Sequence, residues 1–417
     1  MKLVPFSKEY LRLDVSLPFP LRDGSGNLLL AANQMIASES QLASLNKLNL
    51  FTGEQEATDW RRRVAEKVNG LLIGGANLNT IAQALPDQQS TSSTREDNEV
   101  PFTVELDTLL LQLDATLRQA TPGSGWLERF APPSQALQQL TRRRFDSVVY
   151  TMVQHASTML ERYSTHHAVL VASVAAEAAR LMQWTAAEVD SLFAAGLSMN
   201  VAMTREQDML LMQSGPLTPA QRDLVREHAV RGAMMLQAAG VKDLVWLDAV
   251  ARHHLSEPNV PLAERSTGQR LAALIRRVDI FGAKLSRRAA RSPMSPIQAA
   301  REACLGPDGK PDEIGGALLR AVGLYPPGSF VQLESGELGV VIARGRRANL
   351  PIVASLVGRS GLPLGEPAVR DTVDKRHAVK GAMLPEAVKV LPPHTRLLEI
   401  IRLKEQYRAS EQDLLDA

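Results

Sequence analysis

The sequence has 417 residues, which is long enough for two or three domains that each bury a core of their own. Apolar residues make up 45% of the chain, charged residues 22% and aromatic residues 4%, a balance that favours packed helices. Because 47 Lys and Arg stand against 45 Asp and Glu, the overall charge indicates neither a nucleic-acid partner nor binding to an anionic membrane.

The cysteine content and the N-terminus bear on the compartment. Cys304 is the single cysteine, which excludes an internal disulfide framework and is typical of a reducing compartment. Charged residues follow the start too soon for a secretory signal, and no run of about 18 apolar residues occurs. We therefore expect a cytoplasmic protein that does not insert into a membrane.

Residues 1–86 are predicted to form a small α+β module. The segment 17–32 is typical of a hairpin, because Gly and Asn in its turn at 23–27 readily adopt a positive φ. Helices are predicted around 39–48 and 58–72. The polar stretch that follows has too little apolar surface to fold, so residues 87–101 are predicted to be a linker.

Residues 102–324 are predicted to form an all-helical domain with short connections, because helix start signals recur along them. Each signal is a Ser or Thr cap with Glu or Gln three residues later, in two cases with a proline between them. The signals lie at Thr185 with Glu188, at Thr218 with Pro219 and Gln221, and at Ser295 with Pro296 and Gln298.

Residues 325–403 are predicted to form a small β-rich module. The pattern changes to that of strands at 330–333 and 338–342, which are predicted to pair as a hairpin. The segments 351–357 and 395–401 are predicted to be further strands of a small barrel or sheet. Residues 404–417 are predicted to be a charged tail that forms an exposed helix.

Histidines are concentrated in the helical region. Six of the eight lie there, and three predicted helices would converge on one ion if the bundle brings them together, with Asp279 as an oxygen ligand. Imidazole with carboxylate suits Fe, Mn or Zn and activates water against a phosphodiester. The alternative is that each is a hydrogen-bonded helix residue. The six are His155, His166, His167, His228, His253 and His254.

Three segments of this region follow one another in an order that is typical of a known family. They are 214–228, which ends in Arg226-Glu227-His228, then 249–254, which ends in His253-His254, and then 277–285, which contains Asp279. Over about 161–324 this succession resembles the HD-GYP family of bacterial cyclic di-GMP phosphodiesterases. The resemblance implies a mainly α fold, an HD-GYP-like helical bundle flanked by the small N-terminal α+β module and the small C-terminal β-rich module.

The resemblance also implies a set of metal ligands. The first metal-site histidine of the family falls on His167, its mid-domain histidine on His228, its histidine pair on His253 and His254, and its late aspartate on Asp279.

Two departures from the family pattern concern activity. Ser198 and Met199 stand where the family has its His-Asp dyad, and Ala202 stands where the family has a lysine. In the family the dyad aspartate bridges two metals, a task that a thioether cannot perform. The loop 255–261 also lacks the Gly and Tyr of the family's Gly-Tyr-Pro motif.

Two functions follow as alternatives. The first is a degenerate HD-GYP-type signalling protein that binds a cyclic dinucleotide or protein signalling partners and has lost or weak phosphodiesterase activity, with or without a metal. The alternative is an active metal-dependent cyclic di-GMP phosphodiesterase with one divalent Fe, Mn or Zn ion, for which His228, His253 and His254 suffice. A relation to HDOD-type interaction domains is a third interpretation, against which the retained histidines argue. The helical segment 102–162 allows a homodimer.

Overall fold

The computed structural model of the chain describes residues 101–158, 161–256, 260–288, 294–306 and 308–415, and before them 3–6, 8, 11, 17, 19–24, 26–30, 36, 39–53 and 56. It divides into two compact units, Met1–Glu99 and Val100–Ala417. The predicted helix at 58–72 and all but the last residue of the predicted linker at 87–101 lie outside the described residues.

The described residues of the first unit form a four-stranded antiparallel sheet with the order β1-β4-β2-β3 and one helix, α1. The predicted hairpin is confirmed, since Leu21 pairs with Leu30 and the Asp23 carboxylate accepts the Asn27 amide at the turn. Gly26 has a φ of 90° there, which a glycine adopts without strain. The elements are β1 (Leu3–Pro5), β2 (Leu21–Arg22), β3 (Leu28–Leu30), α1 (Glu39–Asn46) and β4 (Phe51–Gly53).

The second unit begins with a helical bundle. Its helices are α2 (Phe102–Leu117), α3 (Trp126–Arg143), α4 (Phe145–Thr158), α5 (Tyr163–Leu181), α6 (Ala186–Ser198), α7 (Thr204–Met212), α8 (Pro219–Ala238), α9 (Leu244–Arg252), α10 (Thr267–Leu285), α11 (Pro296–Ala303) and α12 (Glu313–Val322).

Helix α5 lies at the centre of this bundle. It is apolar and alanine-rich on all sides, so it is buried all round and packs against α4, α6, α10 and α12. A Cβ at Gly196 of α6 would lie 3.0 Å from Ala172 Cα of α5, so the glycine permits the close approach of these two helices. Helix α5 therefore holds α10, which carries Asp279, next to its own His167.

The predicted helix starts are confirmed at two caps. The hydroxyls of Thr185 and Thr218 accept the amides of Glu188 and Gln221, and each partner side chain accepts the amide of its cap residue. Ser295 caps α11 by accepting the amide of Gln298. Because these signals act within one turn, the sequence alone predicts them.

The C-terminal strands of the second unit form a five-stranded antiparallel sheet, within the described residues, in the order β8-β7-β6-β5-β9. The predicted hairpin at 330–342 is confirmed, because Phe330 pairs with Val340 and Gln332 with Leu338. The strands are β5 (Phe330–Leu333), β6 (Leu338–Ala343), β7 (Ile352–Val357), β8 (Pro363–Asp371) and β9 (Val379–Met383).

The prediction of a strand at 395–401 is wrong. These residues belong to helix α13 (His394–Leu415), which starts ten residues before the predicted tail helix. Leu397, Leu398 and Ile401 lie on one face of α13 and pack against β5 and β6. The remaining strands are β8 and β9. Their glycines, prolines and charged residues interrupt the alternation of apolar and polar residues by which a strand is predicted. The mainly α fold with small flanking sheets is nonetheless confirmed.

Arg344, just after β6, joins the sheet to the bundle. Its guanidinium donates to Asp146 Oδ1 at 2.7 Å, to Glu177 Oε1 at 2.8 Å and to the Ala321 carbonyl at 3.1 Å. It also lies 4.1 Å from the centroid of the Phe145 ring. A largely buried cation thus holds α4, α5, α12 and the sheet in one arrangement.

The helices within the described residues include none whose length and apolar character would let it cross a membrane.

Candidate metal centre

Four helices meet at the predicted ligands. Helix α8 carries His228, α9 ends at Arg252 directly before His253 and His254, α10 carries Asp279, and α5 carries His167. The positions of these helices follow from their caps. Thr218 starts α8, Ser266 starts α10, and Asp243 starts α9 by accepting two backbone amides.

Three imidazoles form a compact cluster. One ring nitrogen from each of His228, His253 and His254 lies within 4.8 Å of the other two. His228 and His253 are buried, whereas His254 is exposed. The cluster is therefore closed toward the core and open toward solvent at one ligand, as a site with a free coordination position requires.

The tautomers of the two buried imidazoles follow from their hydrogen bonds. The Nδ1 atoms of His228 and His253 lie 2.7 Å from the carbonyls of Val225 and Val250, and since a carbonyl only accepts, both Nδ1 atoms carry the hydrogen. Both Nε2 atoms of the neutral rings then present lone pairs. These atoms lie 3.2 Å apart, so two acceptors face each other.

At neutral pH no shared proton lies between the Nε2 atoms of His228 and His253. Burial lowers the pKa of His228, and burial with the charge of His254 lowers the pKa of His253 to about 3. Both rings are thus neutral at neutral pH. A cation resolves the arrangement, because two nitrogens at about 2.1 Å from a tetrahedral ion are separated by about 3.4 Å. Backbone carbonyls that orient both ligands complete the fit.

His167 and Asp279 form a separate pair beside the cluster. His167 Nε2 donates to Asp279 Oδ1 at 2.7 Å, and its Nδ1 lies 3.5 Å from the Tyr163 hydroxyl. Burial opposes ionisation of Asp279, but the hydrogen bond from His167 and the neighbouring histidines bring its pKa down to about 2. The carboxylate is therefore ionised next to the three imidazoles.

Gly282 makes room for the His167 ring, a role that sequence reasoning missed. A Cβ at Gly282 would lie 3.1 Å from Cε1 and 3.2 Å from Nδ1 of that imidazole. A glycine three residues after Asp279, inside an otherwise regular helix, was the available signal.

The side chains at the positions of the family's dyad and lysine are not available as ligands of a second metal ion. The Ser198 hydroxyl donates to the Ala194 carbonyl at 2.8 Å and accepts the Trp246 indole N–H at 2.8 Å. Met199 is fully buried in the helical core, and Ala202 has no donor atom in its side chain. The part of Trp246 in this arrangement was not evident in the sequence.

Arg276 holds the chain directly after the histidine pair. Its Nη1 donates to the carbonyls of His254 at 2.7 Å and Leu255 at 2.9 Å. Part of the loop that replaces the Gly-Tyr-Pro motif, 257–259, lies outside the described residues.

Comparison with known proteins gives one curated relative of moderate coverage. No family model matches the chain. A cyclic di-GMP phosphodiesterase of Pseudomonas aeruginosa is 26% identical over 237 residues, which cover 54% of this chain and 57% of that protein. The match thus spans little more than half the length of that relative.

Among solved structures, the chain is similar to an HDG"Y"P protein from Bdellovibrio bacteriovorus. The two are 13% identical with a TM-score of 0.39, and the match covers 76% of this chain and 98% of the other. At 26% identity, the Pseudomonas aeruginosa relative confirms the resemblance to the HD-GYP family that the order of the sequence motifs predicts.

Proposed function

We propose that this protein is a degenerate HD-GYP-type signalling protein that binds a cyclic dinucleotide and has lost phosphodiesterase activity or keeps only a weak one. The observation that carries the proposal is the use of the dyad positions for packing. Ser198 is engaged by Trp246, and Met199 fills the core, so no carboxylate stands where two ions would be bridged.

One divalent ion, Fe, Mn or Zn, fits the three imidazoles. The facing Nε2 lone pairs of His228 and His253 support this assignment, and His254 would complete it from the solvent side. When bound, such an ion supplies Lewis-acid polarisation of a phosphate oxygen or of water. The residues of the chain orient it, through the carbonyls of Val225 and Val250.

The ligand is proposed from the relative, which is a cyclic di-GMP phosphodiesterase. A cyclic dinucleotide bound at this site would place phosphate oxygens near the open side of the cluster, where His254 is exposed. Protein signalling partners and a homodimer belong to the same proposal, and light scattering of the purified chain tests the homodimer.

A second candidate function is an active phosphodiesterase with a mononuclear centre. The pair of His167 and Asp279 favours it, because a carboxylate that accepts a hydrogen bond from an imidazole fixes the orientation of that ring next to a metal-type cluster. In this arrangement Asp279 Oδ1 accepts from His167, and the role of the pair is to hold that proton.

The test compares metal content, binding and turnover of the full chain purified without chelator. We expect about one ion per chain, as three neutral imidazoles hold one ion, together with calorimetric binding of cyclic di-GMP and little hydrolysis under added Mn or Fe. His253→Ala should lose the ion. His377→Ala, a histidine outside the helical domain, is the matched control and should keep it.

Two outcomes would contradict the proposal. Efficient hydrolysis that disappears in His253→Ala would make the protein an enzyme and support the second candidate. A chain without metal, or one whose metal persists in His253→Ala, would remove the ion site altogether.

A further inference from the structure

A groove in the helical domain lies apart from the histidine cluster. It runs between α3 and α6 and has a volume of about 620 Å³. Its described lining includes none of the histidines and not Asp279. Pockets for small organic ligands commonly measure about 300–1,000 Å³, so the groove is of the size that holds one such molecule.

Two arginines supply positive charge to this groove. Arg142 lies at the end of α3 and is exposed, and Arg180 lies at the end of α5 with about a quarter of its side chain exposed. The nearest carboxylate to Arg180 is Glu177, at 3.5 Å, and Glu177 also accepts a hydrogen bond from Arg344. One acid thus serves two guanidinium groups.

Arg180 is incompletely bonded. Its Nη1 is buried and has no hydrogen-bond partner within the described part of the chain, since the contact with Glu177 lacks hydrogen-bond geometry. Burial lowers the pKa of Arg180, Glu177 opposes this effect, and the charge of Arg142 adds to it. The quarter of the Arg180 side chain that stays exposed makes this end of the groove positive together with Arg142, and guanidinium groups bind phosphate in two-pronged geometry.

The remaining walls suit a flat heterocycle. Trp184 presents partly exposed aromatic surface, on which bases stack, whereas Trp246 and Phe130 also line the groove but are only 7% and 2% exposed. The amides of glutamines from α3 donate and accept hydrogen bonds, and Asp190 accepts them, as the edge of a base requires. Gln138 already donates to Asp190 Oδ1 at 2.8 Å, so this carboxylate is held in place.

We propose that this groove is a binding site for a purine nucleotide, with the base against Trp184 and the phosphate at Arg142 and Arg180. The site is independent of the proposed function, because none of its residues belongs to the histidine cluster. It adds a second ligand, of mononucleotide size, to a protein whose cyclic dinucleotide is proposed to bind elsewhere.

The experiment is calorimetric titration of the full chain with GMP, and separately with guanosine and with inorganic phosphate. We expect GMP to bind, and guanosine and inorganic phosphate each to bind at least about tenfold more weakly, because the base and the phosphate both contribute to the affinity. Arg142→Gln should weaken GMP binding by about tenfold, since it removes a charge-assisted hydrogen bond. Arg143→Gln is the matched control, an exposed neighbour on the same helix that pairs with Glu105, and should leave binding unchanged.

Three results would overturn the proposal. They are no binding of GMP at millimolar concentration, binding that is unchanged in both Arg142→Gln and Arg180→Gln, and binding that is lost in His228→Ala, which would place GMP at the metal centre. Because Arg142 and Arg143 are both exposed, failure to fold does not confuse this comparison.

Discussion

Acid should destabilise the helical domain through its buried neutral histidines, and His166 provides a clean test. Burial and the charges of His155 and Arg162 lower the pKa of His166 from 6.5 to about 3. Its Nδ1 has no hydrogen-bond partner among the described residues. The ring is 7% exposed, so it is neutral in the folded protein and must pick up its proton on unfolding.

The sign and size follow from this pKa difference. Because the pKa is lower in the folded state, the stability that His166 contributes is complete above about pH 6.5 and is lost as the pH falls toward 3. Between pH 7 and pH 5 a single such group lowers the free energy of unfolding by about 2 kcal/mol. His253, with a pKa also near 3, should contribute a similar amount in metal-free protein.

The assay is urea unfolding of chelator-treated protein at pH 7 and pH 5, followed by tryptophan fluorescence. The variant is His166→Leu, which replaces an incompletely bonded ring by an apolar side chain of similar volume. Between the two pH values it should lose about 2 kcal/mol less than the wild type. An equal loss in the two proteins would refute the assignment of His166 as a buried neutral group.

Three further predictions concern packing around the site and the sheet. Arg344→Ala should lower the free energy of unfolding by about 3–5 kcal/mol in urea melts, because it removes the cation that Asp146 and Glu177 share. The exposed Arg346→Ala should change this free energy by less than about 0.5 kcal/mol. Gly282→Ala should reduce the amount of bound metal, as measured by elemental analysis, because the added Cβ displaces the His167 imidazole beside the cluster. The control Gly316→Ala places its Cβ in open space and should leave the metal content unchanged. Ser198→Ala should lower the free energy of unfolding by about 1–3 kcal/mol in the same melts, since the buried Trp246 indole N–H loses its acceptor. The loss should also shift the tryptophan emission, and unchanged emission would argue against this hydrogen bond.

The sequence predicts those parts of the fold that are decided within a few residues. The caps at Thr185 and Thr218 are local, so the starts of α6 and α8 were predictable. The same holds for the hairpin of β5 and β6, whose alternation and turn lie within the 14 residues from Phe330 to Ala343. The concentration of histidines predicts a cluster because helices of a bundle bring their inward faces together.

Other features depend on contacts between distant parts of the chain. The segment 395–401 is rich in Leu and Ile and was assigned to a strand, but its burial against the sheet selects a helix. Ser198 meets Trp246 across 48 residues, and His167 meets Asp279 across 112. Hydrogen bonds between such distant residues leave no local pattern in the sequence. The sequence therefore predicts which residues are candidates for the site, but not which of them bond to each other.

Helix α9 connects the two proposed sites. Near its start Trp246 forms part of the groove wall and donates to Ser198, the residue at the first dyad position. At its end the chain passes directly into His253 and His254. The helix has nine residues, so about 14 Å of helix joins the groove wall to the histidine pair. A coupling between the two sites through this helix would appear as an equal factor in both directions: cyclic di-GMP would change the affinity for GMP as much as GMP changes the affinity for cyclic di-GMP.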